Sequence, residues 1–440
     1  MKRALVVLSV SAGVVLMAAS GAAAAPPRGS TELVSRSSAE VQGDQDSVLP
    51  AVSADGRFVA FTSLADNLVP GDTNEASDVF VRDRRTGRTE RISVSSLGVQ
   101  GDGNSGFLEG LGGPSISADG RFVAFDSAAT NLVRFDTNQT ADVFVHDRRT
   151  GRTQRVSVDS HGRQGNGAST SPVISADGRR VAYESFADNL VLPDTNFSSD
   201  IIVRDRRTGR TIRANDAPDG TQADNLSFRP ALNGNGHLVV FGSFATNLGG
   251  NPAALGDVYL RDLDTGRLQA ISSPPGSTDP LAGSDHGSIT PDGRFIVFDS
   301  QTTDLFPDGN GHVRDIVLFD RVTGRYQAIS RDDAGVPGDD NSIEPVISAD
   351  GRFVSYASFA GNLVDGDGNG RVDVFVRDRR AGTTRRVSAT REAEGNLDSL
   401  SPAISADGEV IAYSSAATTL VRETDVGFFA FDILVHTDRR

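Results

Sequence analysis

A loop of the form Asp-x-Asn-x-x-x-Asp recurs in this chain and has the residue types that bind a hard cation. Its fullest copy reads DGDGNGRVD and contains Asp365, Asp367, Asn369 and Asp373. Alternate residues of a tight loop converge on one centre, and their side-chain oxygens are the ligands that Ca²⁺ prefers. Calcium is therefore the only cofactor that the sequence suggests. An Asx turn before a strand is the alternative, here and in the shorter copies at 72–78, 136–142 and 194–200.

A second group of residues has the types needed for acid and base catalysis. Asp285 and His286 are adjacent, and Asp308 follows in the next long loop. A carboxylate and an imidazole at one channel mouth would suit a lyase or a glycoside hydrolase acting on polysaccharide. The chain has no Cys, and it lacks HExxH, a P-loop and a nucleophile elbow. Acidic loops occur in most units whether or not catalysis takes place, so an enzyme is the alternative reading and not the main one.

The elements that carry these residues are repeats. A segment resembling SADGRFVAF occurs seven times, at steps of 64, 58, 58, 57, 58 and 57 residues, and a segment resembling DVFVRDRRTGRT lies between successive copies. Alternating apolar residues with AspGly and ThrGly turns indicate four short antiparallel strands per unit. A steady period of this length predicts an all-β, seven-bladed β-propeller with four-stranded antiparallel blades.

The two ends of the chain predict how the ring closes. Residues 31–47 match residues 89–105 at ten of seventeen positions, so the N-terminal segment is a fourth strand without a blade. The seventh unit stops after its third strand, near His436. We therefore expect the N-terminal strand to complete the last blade, which would cover two exposed edges.

Composition and the N-terminus predict the compartment. Residues 1–24 have a basic start, an apolar run and small residues before Pro26, as a secretory signal peptide does. Residues 25–440 then form the single propeller domain, without a transmembrane segment in the mature chain. The net charge is −15, and it becomes −17 without Lys2 and Arg3, which excludes a nucleic-acid partner on electrostatic grounds. We expect a secreted protein, either extracellular or periplasmic.

The two repeated segments resemble the PD40, or WD40-like, β-propeller repeat found in the C-terminal propeller of TolB proteins and in secreted bacterial proteins. The resemblance covers residues 31–440 and implies the propeller fold, with a binding or scaffolding role. The separate N-terminal domain of TolB has no counterpart here. The absence of Trp excludes ordinary WD40 and kelch repeats.

Binding sites on a ring usually break its symmetry, so the irregular places are the candidates for ligand binding. An insertion at Phe107, Leu108 and Glu109 accounts for the step of 64 residues, and Asp285 and His286 precede the fifth copy. The sequence therefore predicts a secreted, non-catalytic propeller that binds a protein or an extracellular glycan. It also predicts that calcium takes part in this binding.

Overall fold

The fold is a ring of seven four-stranded antiparallel sheets, as the repeat predicts. This computed structural model describes residues 29–106, 112–251, 254–274, 276–280, 282–306, 311–390, 393–421 and 430–438. The expected signal peptide at 1–24 lies outside the described residues. Among those that are described, no helix is long and apolar enough to cross a bilayer.

The strands are numbered in chain order, and each blade is a sheet of consecutive strands except the seventh. Blades 1 to 3 contain β2 (Ser47–Val52), β3 (Phe58–Ser63), β4 (Asp78–Asp83), β5 (Arg88–Arg91), β6 (Ser115–Ile116), β7 (Phe122–Ser127), β8 (Asp142–Asp147), β9 (Arg152–Arg155), β10 (Ser169–Ile174), β11 (Arg180–Ser185), β12 (Asp200–Asp205) and β13 (Arg210–Arg213). Blades 4 to 6 contain β14 (Ser227–Leu232), β15 (Leu238–Ser243), β16 (Asp257–Asp262), β17 (Leu268–Ala270), β18 (Ser284–Ile289), β19 (Phe295–Ser300), β20 (Asp315–Asp320), β21 (Arg325–Ala328), β22 (Ser342–Ile347), β23 (Phe353–Ser358), β24 (Asp373–Asp378) and β25 (Thr383–Arg386). Blade 7 contains β26 (Ser399–Ile404), β27 (Val410–Ser415), β28 (Asp432–Thr437) and β1 (Ser30–Leu33).

The hydrophobic core lies between blades. One cluster joins Phe61 and Phe80 of blade 1 to Ala412 and Val435 of blade 7, and all four are fully buried. The two rings stack with centroids 5.9 Å apart. Because the second and third strands are covered on both faces, each blade needs a neighbour on either side.

A ring of backbone hydrogen bonds links the AspGly turns at the channel. Ala54 N–H donates to the carbonyl of Ala118 at 3.0 Å, and Ala406 N–H donates to the carbonyl of Ala54 at 2.9 Å. The same bond joins blades 2 to 3, 3 to 4, 4 to 5 and 6 to 7. Pro291 of blade 5 has no N–H with which to continue the series to blade 6.

The closure predicted from the chain ends is confirmed. Strand β1 pairs antiparallel with β28, with Leu33 opposite Leu434. Ser35 Oγ donates to Asp432 Oδ1 at 2.6 Å, and Val34 N–H donates to the carbonyl of Ile433 at 2.8 Å. Leu33 and Val34 are buried, at 4% and 1% exposure, so the N-terminal strand completes the core between the first and last blades.

Deleting residues 30–36 should lower Tm by about 3–7 °C, because two buried aliphatic side chains contribute about 1.5–3 kcal/mol each. The deletion also exposes the edge of β28. Differential scanning calorimetry measures the change. Val41→Ala, at a residue that is 54% exposed, is the control and should melt like the wild type. An unchanged Tm in the deletion would show that closure does not stabilise the ring.

Candidate active site

The first strand of six blades carries a β-bulge at the same repeat position. In blade 5 the register of β18 against β19 shifts between Asp285 and Ser288. A positive φ is strained for a residue other than glycine, so its recurrence marks a feature built into the blade. The bulge residues with positive φ are Leu49, Ser171, Arg229, His286, Glu344 and Ser401.

These six residues form what we call the bulge ring. Arg229 of blade 4 contacts His286 of blade 5, and Glu344 Oε2 of blade 6 accepts the N–H of Ser401 of blade 7 at 2.8 Å. First strands pack against one another around the axis, so the ring encircles the channel near the end that bears the long loops. Its members are charged or titratable only in blades 4, 5 and 6, where they are Arg229, His286 and Glu344. The ring is therefore chemically asymmetric at these three blades.

His286 is the centre of this asymmetric region. Its Nδ1 forms an ion pair with Asp299 Oδ2 at 2.7 Å, and Asp285 Oδ2 lies 3.6 Å away. Arg229 Nη1 contacts the ring nitrogens and lies 2.5 Å from Asp285 Oδ2. Asp299 is fully buried beneath the imidazole, whose side chain keeps 23% exposure. A carboxylate on one ring nitrogen fixes the orientation of a histidine, as in many acid–base sites.

A second guanidinium lies against the same buried carboxylate. Arg314, at the end of the loop before β20, donates from Nη1 to Asp299 Oδ1. Its backbone is fixed, since its N–H donates to Asn341 Oδ1 at 2.9 Å. The equivalent residues in other blades are uncharged, such as Ser77 and Gly256. The buried Asp299 therefore contacts one histidine and one arginine, and a second arginine, Arg229, contacts that histidine and Asp285.

The charges of the cluster shift its titration. Burial lowers the pKa of His286, but the ion pair with Asp299 and then the charge of Asp285 outweigh burial, so this pKa is raised above its ordinary value. Burial raises the pKa of Asp299, but the contacts with His286 and Arg314 outweigh burial, so this pKa is lowered. The buried carboxylate stays ionised, and the imidazole is readily protonated.

Two buried carboxyl groups continue the site into blades 2 and 3. Glu184 Oε1 accepts the backbone N–H of Arg229 at 2.7 Å, and burial raises the pKa of Glu184. Asp126, on the equivalent strand of blade 2, is fully buried, and burial raises its pKa to about 7. Its carboxylate faces the backbone N–H of Ser171. These groups therefore hold protons more readily than ordinary carboxylates do.

Asp285 and His286, which are consecutive in the chain, both belong to the cluster, and their role in acid–base chemistry stays a prediction. Asp308 lies outside the described residues, as do the proposed ligand-binding residues Phe107, Leu108 and Glu109. Sequence reasoning missed Arg229, Arg314 and Asp299. An alignment of the seven repeats could have found them. Each of these positions has a charged residue in blade 4 or blade 5 and a different type of residue in most of the other blades.

The structure places an arginine inside the calcium-like loops. Arg386 Nη1, from the fourth strand of blade 6, lies 2.8 Å from Asp367 Oδ1 and 3.2 Å from Asp373 Oδ2. Asn369 Nδ2 donates to the same Asp373 oxygen at 2.8 Å. Burial raises the pKa of Asp367 to about 6. The guanidinium therefore supplies the positive charge that a cation would bring.

The same arrangement recurs wherever the loop motif does. Arg91 Nη1 lies 2.9 Å from Asp72 Oδ1 and 3.2 Å from Asp78 Oδ2, and Arg155 and Arg213 do likewise in blades 2 and 3. Blades 4 and 5 lack the motif and have Ala270 and Ala328 at the arginine position. Among these six blades, the arginine of the fourth strand is thus present where the loop acids are present and absent where they are absent.

Arg386 argues against the calcium predicted at Asp365, Asp367, Asn369 and Asp373, because its guanidinium already pairs with two of these acids. Within the described part of the chain, no group of three or more His, Asp or Glu side chains is arranged to hold a metal ion. At His286 the imidazole contacts a carboxylate and a guanidinium, so its donor set does not fit a metal centre either.

The whole chain resembles solved propellers, although no family model and no curated protein matches its sequence. An oligogalacturonate lyase in complex with manganese matches with a TM-score of 0.56 and 13% identity, over 95% of this chain and 98% of that one. An oligogalacturonate lyase from Vibrio parahaemolyticus matches with a TM-score of 0.55 and 13% identity, over 94% and 98%. The β-propeller domain of the Trilobed protease from Pyrococcus furiosus matches with a TM-score of 0.52 and 12% identity, over 89% and 96%.

These likenesses establish the β-propeller fold and correct one expectation. The prediction of a non-catalytic binding protein is wrong: the propellers that match nearly the whole chain include enzymes, oligogalacturonate lyases. That prediction depended on missing linear motifs, which a site assembled from several blades does not need. TolB structures also match, with TM-scores of 0.39 and 0.40. The PD40 resemblance and secretion stay predictions.

Replacing Arg386 tests the role of the loops. Arg386→Ala leaves Asp367 and Asp373 buried without their cation, which should destabilise the protein by about 3–5 kcal/mol. We expect Ca²⁺ to raise the Tm of this variant and to leave the Tm of the wild type unchanged. Arg380→Ala, at a side chain that is 68% exposed, is the control. A rise of several degrees for the wild type with Ca²⁺, reversed by a chelator, would show that the loop binds calcium.

Proposed function

We propose that this protein is an enzyme that cleaves an acidic polysaccharide by β-elimination. The observation that carries the proposal is the cluster of Arg229, His286, Asp299 and Arg314 at the channel mouth. The full-length likeness to oligogalacturonate lyases, proteins whose name gives an anionic sugar as substrate, supports the same chemistry. Secretion by way of residues 1–24 belongs to this proposal, since the polymer lies outside the cell.

The cluster is suited to removing a proton next to a carboxylate. In a uronate the carbon beside the carboxyl group carries a weakly acidic hydrogen, and neutralising the carboxylate stabilises the charge that develops when the hydrogen leaves. Arg229 and Arg314 are the guanidiniums beside the imidazole that can bind that carboxylate, each with a part of its fork of N–H groups other than the Nη1 that contacts Asp285 or Asp299. Both keep part of their side chain exposed, at 30% and 23%.

His286 is the base in this scheme. In this scheme Arg229 turns from the imidazole Nε2 to the carboxylate of the substrate. Nε2 then takes the proton from C5, the electron pair forms the C4–C5 double bond, and the bond from C4 to the glycosidic oxygen breaks. The departing oxygen takes a proton from solvent water, and the imidazolium returns its proton to the solvent. Asp299 orients the ring and stabilises the imidazolium, as a buried carboxylate does for a catalytic histidine. No water is consumed in this cleavage.

The carboxyl groups of the cluster argue against hydrolysis as the chemistry. A glycoside hydrolase needs two carboxyl groups free to act as acid and as base or nucleophile. Here Asp285 is paired with Arg229, and Asp299 is held ionised between His286 and Arg314. Neither carboxyl group is therefore free to act as the acid or as the base or nucleophile.

His286→Ala should abolish release of unsaturated uronate from polygalacturonate, alginate or hyaluronan. The loss should be at least about 100-fold in kcat, as expected for removal of a general base. Ultraviolet absorbance of the new double bond measures the rate, and calorimetry checks that the variant folds. His312→Ala, at a histidine whose side chain is 41% exposed, is the matched control. Wild-type turnover that survives in His286→Ala would contradict the assignment.

The rate should depend on pH through His286. A base must be unprotonated to act, and the pKa of His286 is raised above its ordinary value of 6.5. We therefore expect kcat to decrease as the pH drops below this raised pKa. Asp299→Asn removes the carboxylate that raises this pKa, so the acid limb should move to lower pH while kcat falls. Asp264→Asn removes the partner of His237, 2.5 Å away in the turns at the opposite end of blade 4, and should leave the profile unchanged. An acid limb at the same pH in Asp299→Asn would exclude His286 as the titrating base.

A further inference from the structure

Exposed phenylalanines lie at one repeat position on the face that bears the site. The residue directly after the second strand is Phe186 in blade 3, Phe244 in blade 4 and Phe359 in blade 6. Their side chains are 56%, 44% and 48% exposed. The end of the second strand pairs with the start of the first, as Ser243 does with Ser227. These rings therefore lie at the long-loop end, near the bulge ring.

Blade 4 differs from the others because a second aromatic ring packs against the exposed one. The rings of Phe228 and Phe244 lie 4.8 Å apart at an angle of 44°. Gly242 makes this possible, since a Cβ at that position would lie 2.5 Å from the Phe228 ring. Other blades have Thr62, Glu184 or another residue with a side chain there, so the pair is specific to blade 4.

The space around the outer ring is also kept free. A Cβ on Gly256 would lie 2.9 Å from the ring of Phe244. Phe228 directly precedes Arg229, whose guanidinium contacts His286. One ring of the pair and the arginine of the cluster are thus carried by consecutive residues of β14. We call Phe228 and Phe244 the aromatic pair.

We propose that the aromatic pair binds the C–H face of a pyranose ring, in the sugar next to the uronate held at His286. Phenylalanine has no hydroxyl group, so a sugar that stacks on it makes an apolar contact. The C–H face of a uronate can make this contact because its carboxylate projects from the edge of the sugar ring. Arg229 follows Phe228 on β14 and contacts His286, so the same strand carries an apolar ring and a cation, which suits an acidic polysaccharide better than a neutral apolar ligand. This inference depends on the proposed function and specifies how the same site holds the polymer.

The test measures oligogalacturonate binding in the His286→Ala background, where no cleavage consumes the ligand. Phe244→Ala should raise Kd about tenfold by isothermal titration, since about 50 Å² of apolar contact is lost. Gly242→Ala should also weaken binding, because its Cβ displaces Phe228 while both rings remain. Phe197→Ala is the matched control: this residue is 96% exposed in the outer loop before β12, and its Kd should stay unchanged. In the otherwise wild-type enzyme Phe244→Ala should raise KM more than it lowers kcat.

Two results would overturn the inference, and only the second would also overturn the proposed function. An unchanged Kd in Phe244→Ala, with the wild type active on a uronate polymer, removes the aromatic subsite and leaves the proposed function intact. Absence of turnover by the wild type, together with absence of binding by His286→Ala to oligogalacturonate, alginate and hyaluronan, overturns the proposed function and the subsite with it.

Discussion

Packing between blades is the interaction on which the rest of this structure depends. A blade buries its apolar faces only against its two neighbours, so no blade is stable at an open end and the ring has to close. The N-terminal strand closes it, with Leu33 and Val34 buried against the last blade. Closure also fixes the radius of the inner strands, and this brings bulge residues of neighbouring blades into contact. The site at Arg229 and His286 exists because two blades are held at that distance.

Arginine balances charge within this ring. In blades 1, 2, 3 and 6 an arginine of the outer strand bridges two acids of the long loop, as Arg386 does with Asp367 and Asp373. On the opposite face Arg57 and Arg148 lie over the ring of Phe58 and link blades 1 and 2. A planar guanidinium can bridge two carboxylates or stack on a ring, whereas an ammonium group does neither as well. At these positions lysine could not replace arginine, and Lys2 is the only lysine in the chain.

Much of the fold can be predicted from the sequence, because the same pattern of strands and turns occurs in seven successive repeats. The period, the turns and the matching ends at 31–47 and 89–105 predict the ring and its closure. The site can be predicted only in part. Asp285 and His286 are adjacent in the chain, but Asp299 reaches the imidazole through strand pairing and Arg229 reaches it across a blade boundary. The role of Arg386 can be predicted only from an alignment of the repeats: blades with the loop acids have an arginine at this position, and blades 4 and 5, which lack them, have Ala270 and Ala328.

The residues that differ most from the repeat lie in neighbouring blades. Blades 4 and 5 lack the loop acids and their arginine, and they contain Arg229, His286, Arg314 and the aromatic pair. The central claim is that this region catalyses elimination, and it is tested most directly by whether oxygen from water enters the product. The wild type would be incubated with polygalacturonate in water enriched in heavy oxygen, and the products analysed by mass spectrometry. Our account predicts unsaturated ends without the label, whereas saturated products that carry heavy oxygen would show hydrolysis and contradict it.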